Sequence, residues 1–155
     1  MRAPWSPRGA TAIVLSQMPS VKRPAIDVRR GRVLAVDDQT GFLAVLRDLV
    51  RATRRLDAVG EAQSGEQAIE LTRELDPDIV LMDVWMSGMG GPAAAHMIKA
   101  RWPSTLVILI SSTHPDELPF AGDESSADAV IWKSELDPQT LDDIWLRRGP
   151  SSPAP

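Results

Sequence analysis

Short apolar runs separated by polar segments are the clearest pattern in the chain. Three of them, residues 33–36, 79–82 and 106–110, are unbroken. Runs of this length, bounded by polar residues, are typical of strands that are buried on both faces of a parallel sheet. Residues 58–62 and 129–132 are shorter or weaker apolar segments and predict two more strands. The pattern therefore predicts five strands.

Between these runs, apolar residues recur at the three- and four-residue spacing of amphipathic helices. The predicted helices cover approximately residues 42–50, 64–75, 92–101 and 138–146. Ser64 is suited to cap the second helix, and Pro92 is suited to open the third. Residues 114–126 are weakly patterned and support only a short helix. Strands that alternate with helices at this spacing predict an α/β fold built around a parallel sheet.

The ends of the chain and their charge differ from the patterned region. Residues 1–31, with four prolines, are predicted to be a disordered extension, residues 32–147 a single domain, and residues 148–155 a disordered Ser/Pro tail. Residues 1–32 hold seven Arg or Lys against one Asp, whereas residues 33–146 hold eight against twenty Asp or Glu. An acidic domain argues against a nucleic-acid surface, because phosphate contacts need clustered cations.

The composition excludes several other classes of protein. The chain has no cysteine, which rules out disulfides and Cys-ligated zinc. The apolar stretch at residues 12–15 is too short for a signal-peptide core or a membrane span. We therefore expect a cytoplasmic protein without a membrane partner.

Three acids follow two of the predicted strands. Asp37 and Asp38 come directly after the first strand, and Asp83 comes directly after residues 79–82. Because ligands bind outside the carboxyl ends of parallel strands, these acids can converge, and a divalent cation would relieve their repulsion. Oxygen ligands of this kind predict a Mg²⁺ site. Taken singly, Asp37 and Asp38 could instead cap the next helix, and Asp83 could be an ordinary loop acid.

Four sequence segments resemble the receiver domain of bacterial two-component response regulators. They are Val-Asp-Asp at 36–38, Met-Asp-Val-Trp-Met-Ser-Gly-Met-Gly-Gly at 82–91, Ile-Ser-Ser at 110–112, and Ala-Asp-Ala-Val-Ile-Trp-Lys-Ser at 127–134. Their order and spacing match the family over about three quarters of the chain. The resemblance implies a doubly wound, flavodoxin-like fold with five parallel strands in the order 2-1-3-4-5.

The resemblance also implies a role for each site residue. Asp83 would accept a phosphoryl group from a phosphohistidine on a sensor histidine kinase. Asp38 and Asp83 would bind Mg²⁺ directly, Asp37 would bind it through water, and the backbone carbonyl of Trp85 would complete the protein ligands. Lys133 would contact the phosphoryl oxygens, and Ser111 would donate its hydroxyl to the same group.

The chain departs from the family pattern at a few positions. Val130 stands where the family usually has Tyr or Phe, which puts the usual aromatic switch in doubt. Ser87 and Ser134 replace prolines that are common after the acceptor and after the lysine. Trp85 borders the expected path of hydrolytic water, so its bulk predicts a long-lived phosphoryl state.

Three functional classes follow, of which the first is favoured by the intact acids and lysine. They are a phosphorylatable regulator with self-catalysed chemistry only, a pseudo-receiver that binds partners without phosphorylation, and a Mg²⁺-dependent phosphatase. The third class lacks support because no separate general base is evident in the sequence.

Residues 116–119 and 132–136 resemble receivers that are usually fused to a LuxR-type DNA-binding module. The chain ends before such a module, so it is expected to be either a stand-alone receiver or a shortened relative of those proteins, and the first is favoured. Such a receiver would act through a protein partner or a homodimer, without direct DNA binding.

Overall fold

Strands and helices alternate along the chain in the computed structural model, which describes residues 29–118 and 126–148. The strands are β1 (Gly31–Val36), β2 (Leu56–Ala62), β3 (Ile79–Asp83), β4 (Leu106–Ser111) and β5 (Ala129–Trp132). The helices are α1 (Thr40–Arg51), α2 (Gly65–Leu75), α3 (Gly91–Arg101) and α4 (Pro138–Arg148). Two single 3-10 turns cover Pro115–Glu117 and Lys133–Glu135.

All five strands are parallel and form one sheet in the order β2-β1-β3-β4-β5. This topology confirms the predicted doubly wound, flavodoxin-like arrangement. Because β1 and β3 are neighbours in the middle of the sheet, their carboxyl ends lie side by side. The register pairs Val36 with Met82, which brings the residues after β1 next to the end of β3.

Two apolar layers, one on each face of the sheet, form the core. One layer joins the sheet to α1 and α4 through Leu43, Leu46, Ile144 and other buried side chains. The opposite layer joins it to α2 and α3 through small residues such as Ala68 and Ala94. Strands covered on both faces need apolar side chains throughout, which explains the unbroken runs in β3 and β4.

The start of α2 follows its predicted signal, and the end of α2 and the start of α3 also have local causes. Ser64 caps α2 by accepting a hydrogen bond from the Gln67 N–H at 3.1 Å. Asp76 ends α2 in the left-handed region, with φ of 46°, directly before Pro77. At the start of α3, a Cβ on Gly91 would collide with the backbone oxygen of Asp83. The absence of a side chain at residue 91 therefore lets α3 begin directly against the end of β3.

The boundaries of the folded part differ slightly from the predicted domain of residues 32–147. β1 already begins at Gly31, and Arg29 and Arg30 form ion pairs with Asp78 and Asp57. Residues 1–28 and 149–155, which hold nearly all of the predicted disordered extension and tail, lie outside the described residues, as do residues 119–125. Among the helices that are described, none combines the length and the apolar character that a bilayer span requires.

Candidate functional site

Three carboxylates converge at the carboxyl edge of the sheet. Asp37 and Asp38 follow β1, and Asp83 is the last residue of β3. One oxygen from each lies within 4.8 Å of the others. Asp37 and Asp83 are buried, whereas Asp38 is exposed. The topology thus brings together three acids that are up to 46 positions apart in the sequence.

Hydrogen bonds fix two of these carboxylates from the surrounding loops. Asp37 Oδ1 accepts a hydrogen bond from the Gln39 N–H at 2.8 Å. Asp38 Oδ2 accepts one from the Ser87 N–H at 3.2 Å, which connects the loop after β1 to the loop after β3. Asp37 Oδ2 is buried and has no hydrogen-bond partner within the described part of the chain. An orphaned carboxylate oxygen among other acids is suited to receive a cation.

The side chain of Lys133 reaches into this cluster from the end of β5. Its Nζ lies 3.1 Å from Asp83 Oδ1 and 3.7 Å from Asp37 Oδ2. The first distance is a charge-assisted hydrogen bond, and the second is too long for one. The same Nζ lies 3.9 Å from the centroid of the Phe42 ring on α1. One ammonium therefore faces two carboxylates and one aromatic ring.

The charges in the cluster are incompletely balanced. Burial raises the pKa of the Asp83 carboxyl, the hydrogen bond from Lys133 lowers it only in part, and the charge of Asp37 raises it further. Burial also raises the pKa of Asp37, against the lowering effects of the Gln39 N–H and Lys133. One lysine does not neutralise three carboxylates at neutral pH. The site therefore has the oxygen donors and the excess negative charge that fit Mg²⁺.

Ser111 ends β4 at the same edge of the sheet. Residue 110 pairs with Asp83, so Ser111 lies one position beyond the register of the acid. Its side chain is buried, and its hydroxyl donates to the Thr113 carbonyl at 2.7 Å and accepts from the Thr113 N–H at 2.9 Å. The hydroxyl is therefore committed to its own loop in this structure.

The Trp85 side chain, predicted to border the site, is 53% exposed in the loop that follows β3. At the start of this loop, the Val84 N–H donates a hydrogen bond to the Ile110 carbonyl of β4 at 3.0 Å. Gly88, in the same loop, has φ of +74°, a conformation that favours glycine. The indole, two positions after Asp83 in the chain, is therefore a surface group and does not belong to the core.

The positions that depart from the family pattern have definite surroundings. Val130 is buried in the layer on the α2 and α3 side, and Ser134 lies in the 3-10 turn after β5. Trp132, two positions after Val130 on the same strand, donates from Nε1 to the Ser112 carbonyl at 3.2 Å. Its ring also meets His114 edge-on, with centroids 5.2 Å apart. An indole therefore ties the loop after β4 to β5.

Three contributions to the site were not anticipated from the sequence. Phe42 was assigned only to the apolar face of a helix, yet its ring contacts Lys133. The backbone N–H groups of Gln39 and Ser87 hold the acids. The one available signal was at residue 87, because serine has an N–H and the proline that is usual there does not.

Comparison with known proteins agrees with this geometry. The family model described as the response regulator receiver domain matches residues 33–144. The chain belongs to this receiver family. Receivers bind Mg²⁺ at an acidic cluster, and within the described part of this receiver the acids that could hold a metal are Asp37, Asp38 and Asp83.

Individual relatives support the same membership. The receiver is 33% identical over 103 residues to the response regulator protein VraR of Staphylococcus saprophyticus, an alignment that covers 66% of this chain and 49% of the relative. It is 39% identical over 92 residues to the response regulator GacA of Pseudomonas viridiflava, covering 57% and 41% of the two chains. The chain thus spans about half or less of these relatives.

A solved structure shows the same architecture. The response regulator domain of Thermotoga maritima CheB superimposes with a TM-score of 0.66 at 27% identity, covering 77% of this chain and 97% of that domain. The likeness extends over nearly the whole solved domain.

Proposed function

We propose that this receiver takes a phosphoryl group from a sensor histidine kinase onto Asp83. The observation that carries the proposal is the convergence of three carboxylate oxygens within 4.8 Å, with the Lys133 ammonium 3.1 Å from Asp83. Family membership supports a phosphorelay role for the domain. Asp83 is the best acceptor among the three acids because it alone combines a place at the end of β3 with a hydrogen bond to the lysine.

The transfer is a substitution at phosphorus. A carboxylate oxygen of Asp83 forms a bond to phosphorus while the phosphorus–nitrogen bond of the phosphohistidine breaks, and the imidazole nitrogen keeps the electron pair. The product is an acyl phosphate on Asp83. Such transfers depend on positioning and charge stabilisation more than on covalent help from the protein.

Asp37, Asp38 and Asp83, with the backbone carbonyl of Trp85, would hold Mg²⁺. When bound, the ion neutralises the carboxylates and the charge that develops on the transferred group. Asp37 Oδ2, which is buried and has no hydrogen-bond partner among residues 29–118 and 126–148, supports this assignment. The raised pKa values of Asp37 and Asp83 have the same first cause, burial of the two carboxyl groups, which Lys133 offsets only in part.

Lys133 and Ser111 would respond to the new group. The Lys133 ammonium donates to the phosphoryl oxygens, since it already lies beside the acceptor oxygen. The Ser111 hydroxyl must first release the Thr113 carbonyl before it can donate to the phosphoryl group. Phosphorylation would therefore reshape the loop after β4, which Trp132 holds through the Ser112 carbonyl.

The output of the receiver would be a change in binding to a protein partner or to a second copy. We propose a cytoplasmic location, where a kinase can reach the receiver, and no enzymatic activity on other substrates. A pseudo-receiver that works without phosphorylation is the alternative, and the intact Asp37, Asp38, Asp83 and Lys133 do not favour it.

Acetyl phosphate labelling tests the phosphoacceptor. Wild type incubated with acetyl phosphate and Mg²⁺ should gain one phosphoryl group by intact mass spectrometry, and chelation of Mg²⁺ should abolish the gain. Asp83→Asn should stay unlabelled, whereas Asp48→Asn, at an α1 side chain that is 73% exposed, should label as wild type does. An unlabelled wild type, or a labelled Asp83→Asn, would refute the proposal.

Trp85 would slow the loss of the phosphoryl group by obstructing water. Because its indole is an exposed surface group, Trp85→Ala should leave the fold intact while it shortens the lifetime of the acyl phosphate several-fold. The decay of labelled protein after removal of acetyl phosphate measures this lifetime. Equal decay of wild type and Trp85→Ala would eliminate the role.

A further inference from the structure

Phe42 links the first turn of α1 to the lysine of the site. The residue is half-buried and packs against the layer of the core on the α1 and α4 side. Its ring also faces the ammonium of Lys133, with Nζ 3.9 Å from the ring centroid. This distance is well inside the range of about 6 Å over which a cation is attracted to an aromatic face.

The ring and the carboxylates surround the ammonium with two kinds of partner. Asp83 Oδ1 at 3.1 Å and Asp37 Oδ2 at 3.7 Å attract Nζ as anions, and the Phe42 ring attracts it through its negative face. The Lys133 side chain is 24% exposed, so part of its solvation is lost in this position. A lysine has a long flexible stem, and without contacts along it the ammonium would occupy many positions.

We propose that Phe42 is a positioning residue that holds the Lys133 ammonium beside Asp83 for contact with the phosphoryl group. This inference rests on the phosphoacceptor role proposed above. An aromatic face suits the task because it attracts the cation without being a strong hydrogen-bond acceptor. The three N–H donors of the ammonium therefore remain available to oxygens, first of Asp83 and then of the incoming phosphoryl group.

A carboxylate in the place of Phe42 would act differently. It would accept a hydrogen bond from Lys133 and add a fourth negative charge to three carboxylates that already lie within 4.8 Å of one another. The ring avoids both effects while still restraining the lysine. A purely structural role for Phe42 would require only its volume in the core, so the two roles predict different results when the ring electronics change and the shape does not.

Nuclear magnetic resonance of the full chain without Mg²⁺ tests the contact. The chain has only three lysines, Lys22, Lys99 and Lys133, so the lysine side-chain spectrum can be assigned with Lys133→Arg. Shielding by the ring should move the ε-methylene protons of Lys133 upfield of the other two lysines. Phe42→Leu should remove this shift and Phe42→Tyr should keep it. An unshifted Lys133 in wild type would overturn the inference.

Graded fluorination of the ring at residue 42 tests the positioning role. Incorporation of 4-fluoro-, 3,5-difluoro- and 3,4,5-trifluorophenylalanine weakens the negative face stepwise with little change in shape. The rate of labelling by acetyl phosphate should fall along the series and be lowest for Phe42→Leu, by about 2- to 30-fold in total. Phe42→Tyr should keep most of the wild-type labelling rate, because it retains an aromatic face.

The controls separate this inference from the proposed function. Leu49→Met alters a half-buried α1 side chain that packs against the same layer about 10 Å further along the helix, and it should label at the wild-type rate. If wild type labels and the fluorinated series labels at one constant rate, Phe42 has no positioning role and Asp83 remains the acceptor. If wild type does not label, the phosphoacceptor role fails, and the positioning role fails with it.

Discussion

The two ends of strand β3 each have a buried aspartate, and the two acids have opposite surroundings. Asp78, just before the strand, accepts hydrogen bonds from both terminal nitrogens of Arg29 at 3.0 Å, from Arg148 at 3.2 Å and from the Arg32 N–H at 2.8 Å. Asp83, at the other end, has one lysine contact and two neighbouring carboxylates. One acid is saturated with donors, and the other lacks positive charge.

The pKa directions record the same difference. Burial would raise the pKa of Asp78, but the hydrogen bonds from Arg29 and the Arg32 N–H hold it below its usual value. Burial raises the pKa of Asp83, and Lys133 does not offset it. A lowered folded pKa means that the ionised form of Asp78 favours the folded state, whereas a buried acid left short of cations is available for a ligand. The comparison therefore separates an acid that is paired within the fold from one that is available for a ligand.

Tryptophans next to the two ends repeat the contrast. Trp145 on α4 is 5% exposed, and the guanidinium groups of Arg29 and Arg148 lie 5.4 and 5.5 Å from its ring. These are the same two arginines that bind Asp78. Trp85, near Asp83, is 53% exposed. The amino end of β3 is covered and tied to both ends of the described chain, whereas the carboxyl end is open to solvent.

Substitution of the two acids should give the largest difference between the two ends of β3, measured as the free energy of unfolding. Asp78→Asn should lower the free energy of unfolding by about 3 kcal/mol, because two arginines lose a buried anionic partner. Asp83→Asn should instead raise this free energy in the absence of Mg²⁺, because it removes one of three clustered charges. Urea unfolding measures both, with Asp76→Asn as the exposed control two residues away. Equal losses for Asp78→Asn and Asp83→Asn would break the comparison.

Low pH should reduce the difference between the contributions of Asp78 and Asp83 to the free energy of unfolding. Because the folded pKa of Asp78 is lowered, its stabilisation is present above its unfolded pKa of about 3.9 and is lost as pH falls through the folded value. Asp83, with a raised folded pKa, destabilises the fold above that pKa, and this cost disappears when it is protonated.

Unfolding curves at several pH values test these signs. The deficit of Asp78→Asn relative to wild type should shrink below about pH 4. The advantage of Asp83→Asn should shrink as well, beginning at a higher pH. A deficit of Asp78→Asn that grows on acidification would contradict the assigned pKa direction.

Mg²⁺ should stabilise the fold through the open end alone. At ten times its dissociation constant, an ion that binds only the folded state adds about 1.4 kcal/mol to the free energy of unfolding. Wild type and Asp78→Asn should both gain this amount, and Asp38→Asn should gain much less. Thermal unfolding with and without Mg²⁺, with Ca²⁺ as a second ion, measures the gain. A full gain in Asp38→Asn would remove this acid from the metal site.

Structural features that depend on local sequence patterns were predictable from the sequence. The unbroken runs in β1, β3 and β4 predicted central strands, and the cap at Ser64 and the start near Pro92 followed from single residues. The three acids converge because parallel strands end at one edge, so their positions could be predicted as well. These features need only the neighbouring residues or the general geometry of a parallel sheet.

Features that join distant segments were not predictable in the same way. The pairing of Asp78 with Arg29 and Arg148 spans 49 and 70 positions, and nothing in the local sequence marks either arginine as its partner. Phe42 has the spacing of any core residue on α1, while its contact with Lys133 depends on where the fold places the start of α1 relative to the residue that follows β5. Side-chain packing between elements decides these contacts, and periodicity does not record it.

The smallest effect should come from the serine that replaces the usual proline at residue 87. Its N–H donates to Asp38 Oδ2 at 3.2 Å, an oxygen that would also be a Mg²⁺ ligand. Ser87→Pro removes this donor, so Mg²⁺ should bind about two- to fivefold more tightly, the value of one modest hydrogen bond. Ser87→Ala keeps the N–H and should bind Mg²⁺ as wild type does. Calorimetric titration of the three proteins decides the point, because matching affinities for Ser87→Pro and Ser87→Ala would mean that this amide does not compete with the metal.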